Sequence, residues 1–165
     1  MLYLEIRNIG NFTSLLFSQD SFDRFLLHEA SFETRFTTII EGKKNAAYFS
    51  EEEKEQELSE GFVRWSEIRP AAFKLLQGKK LPVSFKVILL TSPGVTKNMA
   101  EKAGFSGCPV SSLSISAVYR DQKLLLRTGV SYGGFSMDRS LEKYWDDSVL
   151  KFLSDREIEF GEPEI

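Results

Sequence analysis

Two strand-like runs separated by only two residues constrain the fold of this chain more than any other feature of its sequence. Residues 113–120 and 123–130 are both predicted strands, and Gly129 disturbs the pattern of the second run. The intervening Asp121-Gln122 has the length of a two-residue hairpin turn. Because a turn this short joins only antiparallel neighbours, the sequence predicts an antiparallel pair here.

Three further segments have strand patterns. Residues 2–7 and 83–90 alternate in the same way, and the second run becomes apolar on both sides toward its end, as in an interior strand. The alternating run 25–41 is too long for one strand, so we expect a bend, bulge or break within it. The turn residues 42–45 then lead into a predicted short return strand at 46–49.

Two helices have clear start signals. Ser50 and Glu53 have the spacing of a capping box, and we interpret the glutamates that follow as a solvated helix start rather than as an acidic binding patch. Ser92-Pro93 combines a capping serine with proline at the first helical position, and Gly104 is a suitable stop. The sequence therefore predicts a helix directly after each serine.

Two more helices are indicated by apolar stripes. The stripe at 62–75 contains Pro70, so this segment is predicted to be either one kinked helix or two helices, the second beginning near the proline. The last helix, at 138–153, should bury Trp145 and Phe152 against the rest of the chain. The acidic tail after this helix is expected to fray.

The order of these elements defines the fold class. A short helix that Asn11 could cap, with Phe12, Leu15 and Leu16 on it, follows the first strand. With 50–75 counted as one helical segment, the order reads β-α-β-β-α twice, with a boundary near Lys79-Lys80. The hairpins make the sheet mainly antiparallel with helices gathered on one side. We therefore predict an α+β fold in a single domain over 1–165. Halves 1–79 and 80–155 repeat the same order of elements. This pseudo-repeat could reflect an old duplication, or only the fact that such meanders are common.

Composition limits the classes of function. With 165 residues, 42% of them hydrophobic and a formal net charge of -3, the chain can bury its own core and has no basic excess for nucleic acid. One cysteine excludes an intrachain disulfide. Glu5 and Arg7 lie near the N-terminus, where a signal peptide would need an unbroken apolar region. No apolar run approaches the length of a membrane helix, about 20 residues. We therefore expect a cytoplasmic protein without membrane contact.

The residues that most often perform chemistry are scarce. His28 is the only histidine, and its neighbour Glu29 should point to the opposite face of a strand, so the two are not expected to act together. A catalytic Cys108 would need a base, and His28 is the one residue that could serve. The pair Gly133-Gly134 lies in no phosphate-binding motif. The sequence therefore predicts no catalytic residue, no metal site and no cofactor.

The best candidates for a ligand site are Trp65 and Arg69, which lie one helical turn apart, so that the guanidinium could cover the indole. Tyr119 and Arg127 are weaker candidates for the same cleft. Arg69 has two interpretations: it pairs with a carboxylate or with carbonyl groups near Pro70, or it grips an anionic group in a cleft. We favour the structural interpretation.

A family resemblance begins in this segment. The run from Trp65 through Arg69-Pro70 to Leu75, Gly78-Lys79 and Phe85-Lys86 resembles a family of uncharacterised proteins from anaerobic Firmicutes. The stretches 25–31 and 141–146 are similar to it as well. The resemblance covers most of the chain, implies a bacterial cytosolic origin, and transfers no catalytic residue because no activity is assigned to the family.

Three functions follow as hypotheses. The favoured one is a non-enzymatic binding or interaction module whose partner is a protein or a second copy of the chain. The first alternative is a small-molecule-binding protein or an enzyme with a cleft around Trp65 and Arg69. The second is a nucleic-acid clamp or scaffold. An exposed apolar patch would favour the first hypothesis, a cleft with perturbed pKa values the second, and a continuous basic concave face the third.

Overall fold

The computed structural model describes residues 1–164 of the chain, and it has strands and helices in the predicted alternation. The strands are β1 (Tyr3–Ile6), β2 (Leu26–Glu33), β3 (Thr37–Glu41), β4 (Ser84–Leu90), β5 (Val110–Arg120), β6 (Lys123–Tyr132) and β7 (Phe160–Gly161). The α-helices are α1 (Ile9–Thr13), α2 (Glu51–Glu57), α3 (Trp65–Leu76), α4 (Pro93–Ala103) and α5 (Ser140–Asp155). A π-helix (Ser14–Ser18) directly follows α1, and a 3-10 helix lies at Ala46–Tyr48.

The seven strands form one antiparallel sheet in the order β3-β2-β4-β5-β6-β1-β7, which confirms the α+β prediction. The β5–β6 hairpin has the predicted two-residue turn, with Asp121 at φ 53° and Gln122 at φ 64°. Positive φ at both central residues gives the turn a twist that matches the strands it joins. Asp tolerates this conformation better than most residues, because its short side chain bonds locally.

The long alternating run breaks as expected. It divides into β2 and β3, a hairpin in which Ala30 lies opposite Ile40. A bulge at His28 shifts the register of β2 against β4, since Leu27 pairs with Leu89 and Glu29 with Ile88. The extra residue lets the first part of β2 leave β3 and pair with the segment before α3.

The helix signals also hold. Ser50 and Glu53 form the complete capping box of α2, and Ser92 caps α4, which ends at Gly104 with φ 70°. Helix α3 runs without interruption through Pro70, so the alternative of two separate helices is wrong.

Three local predictions differ from the structure. Residues 46–49 contain the 3-10 helix instead of a return strand, because the strand position beside β2 is already filled by β3. The tail is not frayed through Gly161: β7 pairs with β1, and Ile158 is buried in the core. In α5, Leu153 completes the buried stripe with Trp145, whereas Phe152 is only half-buried and lies against Phe22.

The two sequence halves share this sheet rather than forming one sheet each. Strand β1 of the first half pairs with β6 of the second, and β2 pairs with β4. The hairpins β2–β3 and β5–β6 therefore flank β4 on its two sides. A common origin of halves 1–79 and 80–155 stays a prediction.

The core lies on one side of the sheet. Side chains of one parity along the strands, such as Phe85 and Ile115, join the buried residues of α1, α3 and α5 in a single cluster. Most side chains of the other parity, among them Lys86, Ser116 and Arg127, are half-buried or exposed and form what we call the open face, on which Glu5 and Ser84 are buried. No helix in the described part of the chain is long and apolar enough to span a membrane.

Candidate functional site

A cavity of about 740 Å³ opens at the edge of the core, where the helical layer meets the β5–β6 turn. Its walls come from α1 and the π-helix, the end of α3, the segment that leads into β4, and β5. We call it the apolar cavity because most of its lining is hydrophobic: Ile9, Phe17, Phe73, Leu76, Leu81, Pro82, Phe85 and Tyr119.

Stacked aromatic rings form the floor of the apolar cavity. The rings of Phe85 and Phe17 meet edge-on with centroids 5.2 Å apart, and Tyr119 stacks on Phe85 at 5.4 Å. Trp65 contacts Phe17 edge-on, with centroids 6.0 Å apart. Aromatic pairs at these distances stabilise their arrangement beyond simple burial, so the floor is a fixed surface rather than a collapsible gap.

The π-helix explains how Phe17 reaches this floor. The amide of Gln19 donates to the carbonyl of Ser14 at 3.0 Å, a bond that spans five residues and widens the turn. Leu15, Leu16 and Phe17 are all buried within this turn. Such widened turns are rare and often occur at functional sites, and here the turn directs one aromatic ring into the cavity wall.

The rim of the apolar cavity carries exposed hydrophobic side chains. Phe73, Leu81 and the neighbouring Val83 are exposed to 41%, 80% and 63%. The polar lining residues are neutral: Thr13, Ser14, Ser18, Gln77 and Gln122. Within the described chain this lining includes no carboxylate, imidazole, amine or thiol, and its one ionisable side chain is the phenol of Tyr119.

Three lysines are close in sequence to residues of this rim. Lys79 and Lys80 lie between the lining residues Gln77 and Leu81, and Lys74 follows Phe73 on α3; all three are exposed. The ion pairs that lysines form in the described structure involve Lys44, Lys54, Lys86 and Lys123 instead. The rim therefore combines apolar surface with positive charge that the fold itself does not neutralise.

The four candidate residues from the sequence do not meet in one cleft. Trp65 is completely buried, and its indole nitrogen donates to the carbonyl of Leu16 at 2.8 Å. Tyr119 lines the apolar cavity. Arg127 lies on the open face, where its guanidinium carbon is 4.5 Å from the centre of the Tyr3 ring.

Arg69 contacts a carboxylate of its own chain. Its Nε and Nη2 atoms donate to the two carboxylate oxygens of Asp23 at 2.7 and 3.0 Å. This bidentate hydrogen bonding raises the pKa of the guanidinium above its ordinary value. Asp23 lies in the connection between the π-helix and β2, so the pair ties this connection to α3.

Replacing Arg69 by alanine should lower the free energy of unfolding by about 1–3 kcal/mol, because Asp23 would keep a partly buried carboxylate without its partner. Chemical denaturation measures this cost. Arg69→Lys, which retains the charge but loses the paired geometry, should recover only part of it. An alanine variant as stable as the parent would show that the guanidinium is free to serve a ligand.

A second cavity of about 550 Å³ lies at one end of the open face. His28 stacks on Phe62 at its edge, with ring centroids 5.7 Å apart, and Ser112 and Ser114 line the opposite side. His28 belongs to β2 and these serines to β5, with β4 between them. Two strand spacings amount to about 10 Å, so this arrangement does not form a serine–histidine pair.

Comparison with known proteins identifies the family. The model of a family of unknown function, DUF5721, matches residues 15–161. The chain belongs to DUF5721. No curated protein and no solved structure matches the chain. Membership of a family of unknown function identifies no catalytic or binding residue. A function is therefore proposed below from the geometry of the cavities.

Sequence reasoning named Tyr119 for a cleft around Trp65 and Arg69, and it did not name the other main parts of the apolar cavity. Phe17 follows a stretch that reads as an ordinary helix, and its position depends on the π-turn. Leu81 is a large apolar residue that follows two lysines and precedes a proline, outside any strand or helix. Single apolar residues are common on protein surfaces, so the sequence offers no signal that separates Leu81 from them.

Proposed function

We propose that this protein is a non-enzymatic binding module that holds large apolar side chains of an acidic protein segment in its apolar cavity. The observation that carries this proposal is the continuous apolar surface from the aromatic floor to the exposed rim at Phe73 and Leu81. With the sequence resemblance, we further propose that the module acts in the cytosol of anaerobic Firmicutes.

The exposed rim favours a protein segment over a small molecule. A ligand of the size of this cavity would contact its interior, and a small-molecule site usually encloses most of the ligand. Leu81 on the rim and Val83 beyond the lining, however, are 80% and 63% exposed, and a ligand enclosed in the cavity would leave much of this apolar surface in water. A segment that anchors one or two side chains and lies across the rim would cover both regions.

Charge defines the partner further. Lys74, Lys79 and Lys80 are exposed and follow or precede rim residues in the sequence. Carboxylates on both sides of an apolar anchor would meet these cations, raise the association rate, and exclude basic competitors. We therefore propose an acidic segment rather than a neutral one.

The open face supports a nucleic-acid function less well. Two of its cations are matched by acidic neighbours: Lys86 is 3.6 Å from Glu29, and Arg120 is 3.3 Å from Glu33. Nucleic-acid proteins need unmatched positive charge along a groove, because phosphate contacts supply most of their affinity.

The test is a selection of random 12-residue peptides displayed on phage against the wild-type protein. We expect the enriched peptides to share large apolar residues and a net negative charge. Leu81→Glu should weaken the binding of synthetic versions at least tenfold, since it places a carboxylate on the apolar rim. Leu81 is 80% exposed, so the variant should keep the parent melting temperature.

Phe135→Glu is the matched control, because Phe135 is 86% exposed and follows the far end of β6. It should bind the selected peptides as the wild type does. Peptides that bind Leu81→Glu and the wild type equally would contradict the proposal. Anilinonaphthalene sulfonate, an apolar anion, serves as a small-molecule probe: its binding in the cavity without any enriched peptide would support a small-molecule site instead.

A further inference from the structure

We propose that the free edge of strand β3 pairs with β3 of a second copy of the chain, in antiparallel orientation about Ile39, and joins the two sheets. This inference concerns a different surface from the apolar cavity. It follows from the hydrogen-bond pattern of the edge and from the residues on it.

The hydrogen bonds of the β2–β3 hairpin show which backbone groups of β3 are free. The amide of Gly42 donates to the carbonyl of His28 at 3.0 Å, and at the other end Thr34 donates to Phe36 at 2.9 Å. Hydrogen-bonded pairs alternate along an antiparallel ladder, so in this register Thr38 and Ile40 point toward β2.

The amides and carbonyls of Thr37, Ile39 and Glu41 therefore point away from the sheet. The backbone hydrogen bonds of the described chain leave these groups to solvent. At the opposite edge of the sheet the chain behaves differently, since the short strand β7 covers β1. Edge strands in monomeric proteins are usually shielded by lysine, proline or a bulge, and β3 itself has none of these.

The side chains on this edge point to a second copy as the partner. In a two-fold pairing centred on Ile39, this residue faces its own equivalent, and Thr37 faces Glu41 of the other chain. No two like charges lie opposite each other within the strand, and three hydrogen-bonded pairs can form. Ile39 and Phe36 are 63% and 50% exposed in one chain, and the second copy would cover part of both side chains.

The first test measures molar mass by sedimentation equilibrium over a wide range of protein concentration. The wild type should rise from 18.8 kDa toward twice this value. Ile39→Lys, which places two ammonium groups opposite each other, should weaken the dimer at least tenfold. Ile39→Val keeps the strand preference and the apolar contact, so it should associate as the wild type does. Leu81→Glu should also associate normally, which separates this inference from the proposed function.

Two further measurements keep the test decisive. Ile39→Pro removes an amide hydrogen that a single chain does not use, so it should abolish the dimer while the circular dichroism spectrum stays that of the parent. In the wild type, hydrogen exchange at Thr37, Ile39 and Glu41 should slow at least tenfold as the concentration rises, whereas Thr38 and Ile40 should already be slow when dilute. A wild type that stays monomeric, or a dimer in which these three amides exchange as fast as in the monomer, would overturn the inference.

Discussion

Replacing Gly42 by alanine is expected to destabilise the protein by more than about 3 kcal/mol, because the new methyl group has no space. An ideal Cβ at this position would lie 1.7 Å from the carbonyl oxygen of Leu27 and 2.6 Å from its carbon. These are backbone atoms, so no side-chain rotation relieves the clash. The strands must separate, and the melting temperature should fall by roughly 6–12 °C.

The cost is large because several backbone segments meet at Gly42. Its amide donates to the carbonyl of His28 at 3.0 Å, and its carbonyl accepts from the amide of Val63 at 2.9 Å. The carbonyl of Val63 accepts in turn from Leu27 at 2.8 Å. Moving any one of these segments breaks hydrogen bonds of the others, and buried backbone groups without partners are costly.

Gly94→Ala is the matched control for this prediction. Gly94 lies in the first turn of α4, and an added Cβ would have no neighbour within 4 Å. Since alanine favours a helix over glycine, the variant should be as stable as the parent or more stable by up to about 1 kcal/mol. Equal stability of the Gly42 and Gly94 variants in a denaturant titration would show that the close approach to Leu27 is not a constraint.

Replacing Trp65 by alanine should cost about 3–5 kcal/mol of stability, the range seen when a large buried aromatic side chain is removed. Trp65 is completely buried and lies against Phe17. Its loss also leaves the carbonyl of Leu16 without its donor in the core. Because Phe17 forms the cavity floor, the variant should also bind the selected peptides more weakly.

Two controls separate the contributions. Trp65→Phe keeps much of the ring volume but removes the indole donor, so it should cost only about 1–3 kcal/mol. Phe135→Ala removes an exposed ring and should change stability by no more than about 0.5 kcal/mol. A Trp65→Ala variant that melts within a degree of the parent would contradict the role given to this residue.

The candidate site was less accessible to sequence reasoning than the fold. Trp65 and Arg69 are unusual in the sequence, and the structure accounts for both by internal contacts, with Leu16 and Asp23. A ligand-binding residue and a structural residue can look alike in a sequence, because both are polar or aromatic groups set in an apolar stripe. Only the partner atoms distinguish the two kinds of residue. Leu16 is 49 residues away from Trp65 along the chain, and Asp23 is 46 residues away from Arg69.

The amino-acid sequence by itself determined the features that depend on neighbouring residues. Asp121-Gln122 specified the β5–β6 hairpin, Ser50 and Glu53 the start of α2, and Ser92-Pro93 the start of α4. In each case the decisive hydrogen bonds or dihedral angles involve residues at most a few positions apart, so the local pattern contains the whole cause.

Only the tertiary structure decided how distant segments meet. The pairing of β1 with β6, the short strand β7, the π-turn that directs Phe17 and the apolar cavity itself all depend on contacts between residues far apart in the sequence. Several partners could satisfy the alternating pattern of β1 equally well. The choice between them is made by the total burial and hydrogen bonding of the whole sheet, which no local pattern encodes.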